Sequence, residues 1–115
     1  MKKIKVLVPS GIVALLNHDK LCSKKSMNRI HNNIVEYYLE NGVKGGKGEI
    51  KNDAQIQFYL YDHLLDRYFT FLRENNYTNE SEFLRDAYYD YVNRSKEGRM
   101  DILKKIKGES KCQKD

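Results

Sequence analysis

The chain has little of what anchors most small functional sites. Its two cysteines, Cys22 and Cys112, stand far apart, and neither belongs to a CxxC or a Cys/His cluster. That argues against a disulfide framework and a structural metal site, and leaves two reduced thiols as the expectation. His18, His31 and His63 form no HExxH or other ligand spacing, so all three are read as surface or helix-end residues and no metal is expected. No nucleophile–base pair and no paired-carboxylate motif is visible. Asp62-His63 and Asp66-Arg67 read as helix capping and surface charge. The expectation is a protein that is not an enzyme and carries no cofactor.

Long apolar runs are missing too. Met1-Lys2-Lys3 and the apolar stretch to Leu16 imitate a signal peptide. Lys5 interrupts that stretch, Pro9-Ser10-Gly11 breaks it, and no small-residue cleavage site follows. Asp19-Lys20-Leu21 ahead of Cys22 is not a lipoprotein signal. Nothing is long enough to span a bilayer, so a cytoplasmic location is expected. Proline occurs once, at position 9, and four of the seven glycines fall within 42–48. That glycine run follows a helical pattern and precedes a strand pattern. A phosphate-binding loop needs the reverse order, so 42–53 reads as a flexible connector.

What is present is globular in balance: 115 residues, 40% hydrophobic and 32% charged, with net charge +5 and pI about 9.1. A basic surplus favours an anionic partner such as nucleic acid. Two segments alternate strictly, Lys3–Val8 and Gln55–Leu60. Ile4, Val6 and Val8 match Ile56, Phe58 and Leu60 on one face; Lys3, Lys5 and Leu7 match Gln55, Gln57 and Tyr59 on the other. Period two marks a strand with one buried face. A lone strand leaves its backbone groups unpaired, so each is the natural partner of the other.

Two helical patterns follow each strand. Ile12, Val13, Leu15, Leu16 and Leu21 form a first stripe, weakened at Asn17-His18-Asp19. After the basic loop Ser23-Lys24-Lys25, Ser26 caps a second helix over roughly 26–40, with Ile30, Ile34, Val35, Tyr38 and Leu39 on one face. A shift of 52 residues carries Val8, Pro9, Ser10, Ile12, Val13 and Leu16 onto Leu60, Tyr61, Asp62, Leu64, Leu65 and Tyr68, with Asp62 replacing Ser10 as a helix cap. Phe69 and Leu72 extend that stripe. A shift of 53 carries Ser26, Ile30, Ile34, Val35, Tyr38 and Leu39 onto Asn79, Phe83, Ala87, Tyr88, Tyr91 and Val92. The chain reads as a duplicated strand–helix–helix unit: 1–41, the connector 42–53, then 54–94. The basic segment 95–115 holds one short helix, from Met100, Ile102, Leu103 and Ile106, and a tail. Most tyrosines read as core, with Tyr38, Tyr68, Tyr88 and Tyr91 on apolar stripes.

The runs Lys5-Val-Leu-Val-Pro-Ser10 with Ser26-Met-Asn-Arg-Ile30, and Gln57-Phe-Tyr-Leu-Tyr-Asp62 with Asn79-Glu-Ser-Glu-Phe-Leu-Arg-Asp-Ala87, resemble the ribbon-helix-helix family of MetJ/Arc type. The likeness covers about 80 of the 115 residues. With both copies in one chain it resembles the tandem version, including the TraY-like accessory proteins of conjugative transfer. Tyr61 stands where the family usually has proline, and Leu7 and Tyr59 where it usually has polar residues. The resemblance implies a mostly α fold with a two-stranded antiparallel β-ribbon, a pseudo-dimer in one chain, whose ribbon enters the major groove of double-stranded DNA. It implies base readout by Lys3, Lys5, Leu7, Gln55, Gln57 and Tyr59. A transcriptional regulator or a plasmid-transfer accessory would fit, with self-association on adjacent sites and no membrane or small-molecule partner.

Chemistry independent of the family agrees. A two-stranded ribbon fits the major groove; lysine serves guanine O6 and N7, and glutamine serves adenine N6 and N7. Phosphate contacts are expected from Lys24, Lys25, Ser26 and Met27 at the start of the second helix and from Asn79 at its counterpart. The alternative is a protein-interaction module, antitoxin-like, whose segment after Asn93 wraps another protein.

Overall fold

A computed structural model of the chain describes residues 1–43 and 51–104. Most of them are helical. Strand β1 (Lys2–Val8) is followed by α1 (Ser10–Ser23) and α2 (Met27–Asn41), strand β2 (Ala54–Leu60) by α3 (Leu65–Glu74) and α4 (Glu80–Val92), and α5 (Lys96–Lys104) comes last. A short 3-10 turn, Asp62–Leu64, leads into α3. Most of the expected connector, and the tail beyond Lys104, lie outside the described residues.

The two strands pair antiparallel within the one chain, and their alternation sorts the faces as the sequence implies. Ile4, Val6, Val8, Ile56, Phe58 and Leu60 are buried; Lys3, Lys5, Leu7, Gln55, Gln57 and Tyr59 are exposed. In the register, Lys5 lies opposite Gln57, Lys3 opposite Tyr59 and Leu7 opposite Gln55. Lys5 and Gln57 are equivalent under the 52-residue shift, so a pseudo-twofold axis passes between them and exchanges the two ends of the ribbon.

Two further contacts join positions related by the same shift, with backbone and side-chain roles exchanged. Asp53 Oδ1 accepts the Ser10 N–H at 2.9 Å, and the Met1 nitrogen lies 2.9 Å from Asp62 Oδ1. Met1 and Ser10 are the shift equivalents of Asp53 and Asp62. These contacts revise the expected caps: neither Ser10 nor Asp62 caps a helix with its side chain, because the cap positions are Pro9 and Tyr61. Those two share one backbone conformation, φ −63° and ψ 145° at Pro9 against φ −65° and ψ 144° at Tyr61. Tyr61 therefore makes the proline turn without a proline. The N–H that a proline lacks is accepted by Asn32 Oδ1 at 2.8 Å, so it is not left unpaired. The later caps are the expected ones. Ser26 Oγ accepts from Arg29 N at 3.2 Å and Asn79 Oδ1 from Glu82 N at 2.9 Å.

The halves are interlaced. β1 packs on α4 and β2 on α2, while α2 and α4 pack together beneath them. The ribbon's apolar face, Ile30, Ile34, Val35, Phe83, Leu84 and Ala87 form one core, so neither half encloses a core alone. Tyr38, Tyr68, Tyr88 and Tyr91 are fully buried in it. Three residues of the expected stripes lie outside it instead: Leu15 is only half-buried, Leu21 is 75% exposed, and Phe69 is exposed with the Lys2 ammonium 5.7 Å from its ring centre. Arg67 reaches from α3 to Glu36 (3.4 Å) and Glu40 (3.1 Å) on α2. Exposed pairs of this kind contribute at most about 1 kcal/mol each.

His31 corrects the surface reading given to all the histidines. It is buried, its ring stacks on Phe58 with centroids 4.8 Å apart, and Nδ1 lies 2.7 Å from the Tyr88 hydroxyl. His18 and His63 are exposed. Burial lowers the His31 pKa from 6.5 to about 4 and pushes the Tyr88 phenol well up, so the pair is neutral. The unfolded chain takes up a proton at this histidine near pH 6.5, whereas the folded chain resists it to about pH 4. The stability His31 provides is complete above pH 6.5 and falls between those values, by about 3 kcal/mol. Urea denaturation at pH 7, 5.5 and 4.5 should show that loss. His31→Gln should flatten the pH dependence.

Candidate nucleic-acid interface

The strand pairing gathers Lys3, Lys5, Leu7, Gln55, Gln57 and Tyr59 on one outward face as three cross-strand rows. The outer members of these rows alternate in kind across the pseudo-twofold: lysine faces tyrosine at one end, and leucine faces glutamine at the other. Leu7 and Tyr59 are 47% and 48% exposed, which gives the face an apolar diagonal. Gln57 Nε2 donates to Gln55 Oε1 at 3.0 Å. This bond holds the two amides side by side and leaves the Gln55 amide nitrogen as donor and the Gln57 oxygen as acceptor. The face thus offers ammonium groups, amide donors and acceptors, and apolar surface within two strands. Those are the functions that base edges and the thymine methyl group engage.

The start of α2 is tied directly to this face. Asn28 Nδ2 donates to the Tyr59 carbonyl at 3.2 Å, and Asn28 Oδ1 accepts the Tyr59 N–H at 2.7 Å. Asn32 Nδ2 also donates to Tyr59 O at 2.9 Å. The two asparagines cover the outer edge of β2, whose peptide groups would otherwise be open to another strand. They escaped the sequence reading. Their signal is the i, i+4 spacing of two amide side chains on a helix, together with a strand end lacking the usual proline.

The expected phosphate residues are not equivalent. Lys24 closes α1 in the left-handed region (φ 60°) and its side chain is exposed. Lys25 turns inward, and its Nζ donates to the Leu103 carbonyl at the end of α5 at 2.6 Å. Ser26 is exposed and occupied in capping α2, and Met27 packs partly against the core. Asn79 caps α4, whose first turn carries Glu80 and Glu82. There Glu80 accepts from the Tyr68 hydroxyl at 3.0 Å and pairs with Lys2 at 3.5 Å. The start of α2 is set among lysines and that of α4 among carboxylates, so the two helix starts differ in their attraction for an anion.

A second polar cluster holds α5 in place. Asp19, fully buried on α1, receives Arg99 Nε at 2.9 Å, Arg99 Nη2 at 3.3 Å and the Tyr91 hydroxyl at 2.7 Å. Burial and the Asp19 carboxylate push the Tyr91 phenol well up, and Asp19 raises the Arg99 guanidinium. The stretch Asn17-His18-Asp19, read as weakening the first stripe, instead carries a buried ion pair within α1. Arg94 bonds Asp90 and the Tyr38 hydroxyl, and Tyr38 donates to Asp90. Among the described residues no group of three or more His, Cys, Asp or Glu side chains could hold a metal ion, and no helix is long and apolar enough to cross a membrane. Compared with family models, curated proteins and solved structures, the chain matches none.

Proposed function

We propose that the protein binds double-stranded DNA sequence-specifically, laying its β-ribbon in the major groove as a single-chain, tandem ribbon-helix-helix protein. One observation carries this reading: a solvent-facing ribbon whose three cross-strand rows present Lys3/Tyr59, Lys5/Gln57 and Leu7/Gln55 outward. A two-stranded ribbon has the width of the groove, and these side chains match its donors, acceptors and methyl groups. The pseudo-twofold between Lys5 and Gln57 parallels the dyad of duplex DNA. The role that fits is a cytoplasmic transcriptional regulator or an accessory of plasmid transfer, with no enzymatic activity.

The protein-interaction alternative has less support. The segment proposed to wrap a partner begins with α5, and two of the three apolar residues of α5, Ile102 and Leu103, are already buried against the chain's own helices α1 and α2, with Met100 half-buried beside them.

The halves should bind DNA unequally. Residues 1–51 hold ten Lys/Arg and four Asp/Glu, net +6, whereas 52–92 hold three and eight, net −5. The charge-dependent share of affinity falls with salt in proportion to the contacts made by cations. In a salt titration of binding, Lys3→Ala/Lys5→Ala should flatten the log–log slope by up to about two units. Gln55→Ala/Gln57→Ala should keep the slope and lose discrimination between sites, by about 1–3 kcal/mol at the base pair that the central Gln57 contacts. Identical slopes for the wild type and the lysine variant would count against the ribbon as the DNA-binding face.

A further inference from the structure

Asn28 and Asn32 do for one end of the ribbon what no described side chain does for the other. Asn28 is the second residue of α2 after its Ser26 cap; its counterpart, second in α4 after the Asn79 cap, is Ser81. Asn32 corresponds to Arg85. The strand positions are likewise paired: Tyr59 corresponds to Leu7, and Tyr61 to Pro9. At the Tyr59 end, the N–H and C=O of Tyr59 and the N–H of Tyr61 are all held by asparagine amides, at 2.7 to 3.2 Å. At the Leu7 end, Pro9 has no N–H to satisfy, and among the described residues neither Ser81 nor Arg85 bonds the backbone of Leu7. A serine hydroxyl cannot serve an N–H and a C=O together as an amide can.

The clasp is itself braced. Asn32 Nδ2 donates to the Asn28 carbonyl at 2.9 Å, and Asn32 is buried, so the amide that holds the strand is fixed by the helix carrying it. A strand edge fastened at both peptide groups cannot slide or twist against its helix. Hydrogen bonds to base edges are lost over displacements of about half an ångström. We propose that Asn28, acting beside Asn32 on the same peptide groups, is a positioning residue for base recognition. It fixes the Lys3–Tyr59 end of the ribbon, so that the half of the DNA site under that end is read strictly, while the half under Leu7–Gln55 is read loosely. The inference rests on the DNA-binding reading above.

The test begins with duplexes enriched from a random pool by the full chain. Every base pair of the enriched site is then changed singly and binding is measured by fluorescence anisotropy. Lys3→Ala marks the half that lies under the Lys3–Tyr59 end. In the wild type, changes in that half should cost about tenfold or more each, and changes in the other half about threefold or less. Asn28→Ser, which installs the residue of the second half, should reduce the strict half to about threefold and leave the loose half unchanged. Ser81→Asn, which offers Leu7 the missing clasp, should raise discrimination in the loose half alone; it decides the matter if Asn28→Ser melts early. An enriched site with equally strict halves, an Asn28→Ser variant that relaxes both halves alike, or a folded Ser81→Asn variant that tightens neither would overturn the inference and leave DNA binding standing. A pool in which no sequence is enriched would overturn both.

Discussion

Replacing Val6 or Phe58 by lysine should unfold the protein. Both side chains lie on the inner face of the ribbon, 2% and 3% exposed, at the junction of the interlaced halves. The new ammonium would have no acceptor there, and an unpaired charge in an apolar interior costs several kcal/mol at least. The lost packing of the original side chain adds about 1–5 kcal/mol. A domain of this size is stable by about 5–15 kcal/mol in all. Because β1 rests on α4 and β2 on α2, one half cannot melt and leave the other folded, so circular dichroism should show cooperative loss of helix rather than a partly folded remnant. On the opposite face of the same strands, Lys5→Ala and Gln57→Ala should leave the melting temperature nearly unchanged. Comparable destabilisation by inner-face and outer-face changes would contradict the placement of the core.

Arg99→Ala should be the next most damaging substitution. It leaves the Asp19 carboxylate fully buried with, among the described residues, the Tyr91 hydroxyl as its remaining partner. Breaking a buried pair from one side costs about 3–5 kcal/mol, far more than the pair contributes against an apolar replacement. The loss should also release α5, whose docking uses Arg99, Ile102 and Leu103. Hydrogen exchange should quicken first over residues 96–104. Replacing both partners, Asp19→Leu with Arg99→Met, should recover most of the stability, the remainder being the Tyr91 hydroxyl left without its acceptor. A double variant as unstable as Arg99→Ala would show that the ion pair itself, and not the orphaned carboxylate, dominates.

What the sequence displayed was local or periodic. Strict alternation in Lys3–Val8 and Gln55–Leu60 fixed which residues face the core, and the duplication identified the partner strand. Ser26 and Asn79 announced the helix starts because a cap acts within three residues. Other features depend on what lies across the fold, which periodicity cannot supply. Asp19 follows Ile12 by seven residues and Leu16 by three, so it sits on the buried stripe of α1. Nothing nearby in sequence hints that Arg99, 80 residues on, will meet it. His31 looked polar in isolation and is buried because Phe58 and Tyr88 close over it from the other half. At Tyr61 the missing proline looked like a departure from pattern. In the fold it is half of a matched change, an N–H that proline would lack together with the Asn32 side-chain amide oxygen that accepts it. The six outward residues of the candidate interface were legible; the asparagine clasp and the inward turn of Lys25 were not.

The outer face of the ribbon is the surface proposed to read DNA. The most direct measurement is the affinity of Lys5→Ala/Gln57→Ala for a duplex enriched by the wild-type chain, taken beside its melting curve. These two residues face each other at the middle of the ribbon, on the pseudo-twofold. If that face reads DNA, melting should be unchanged and binding weakened by about tenfold or more. A variant that melts like the wild type and binds the same duplex equally well would contradict it.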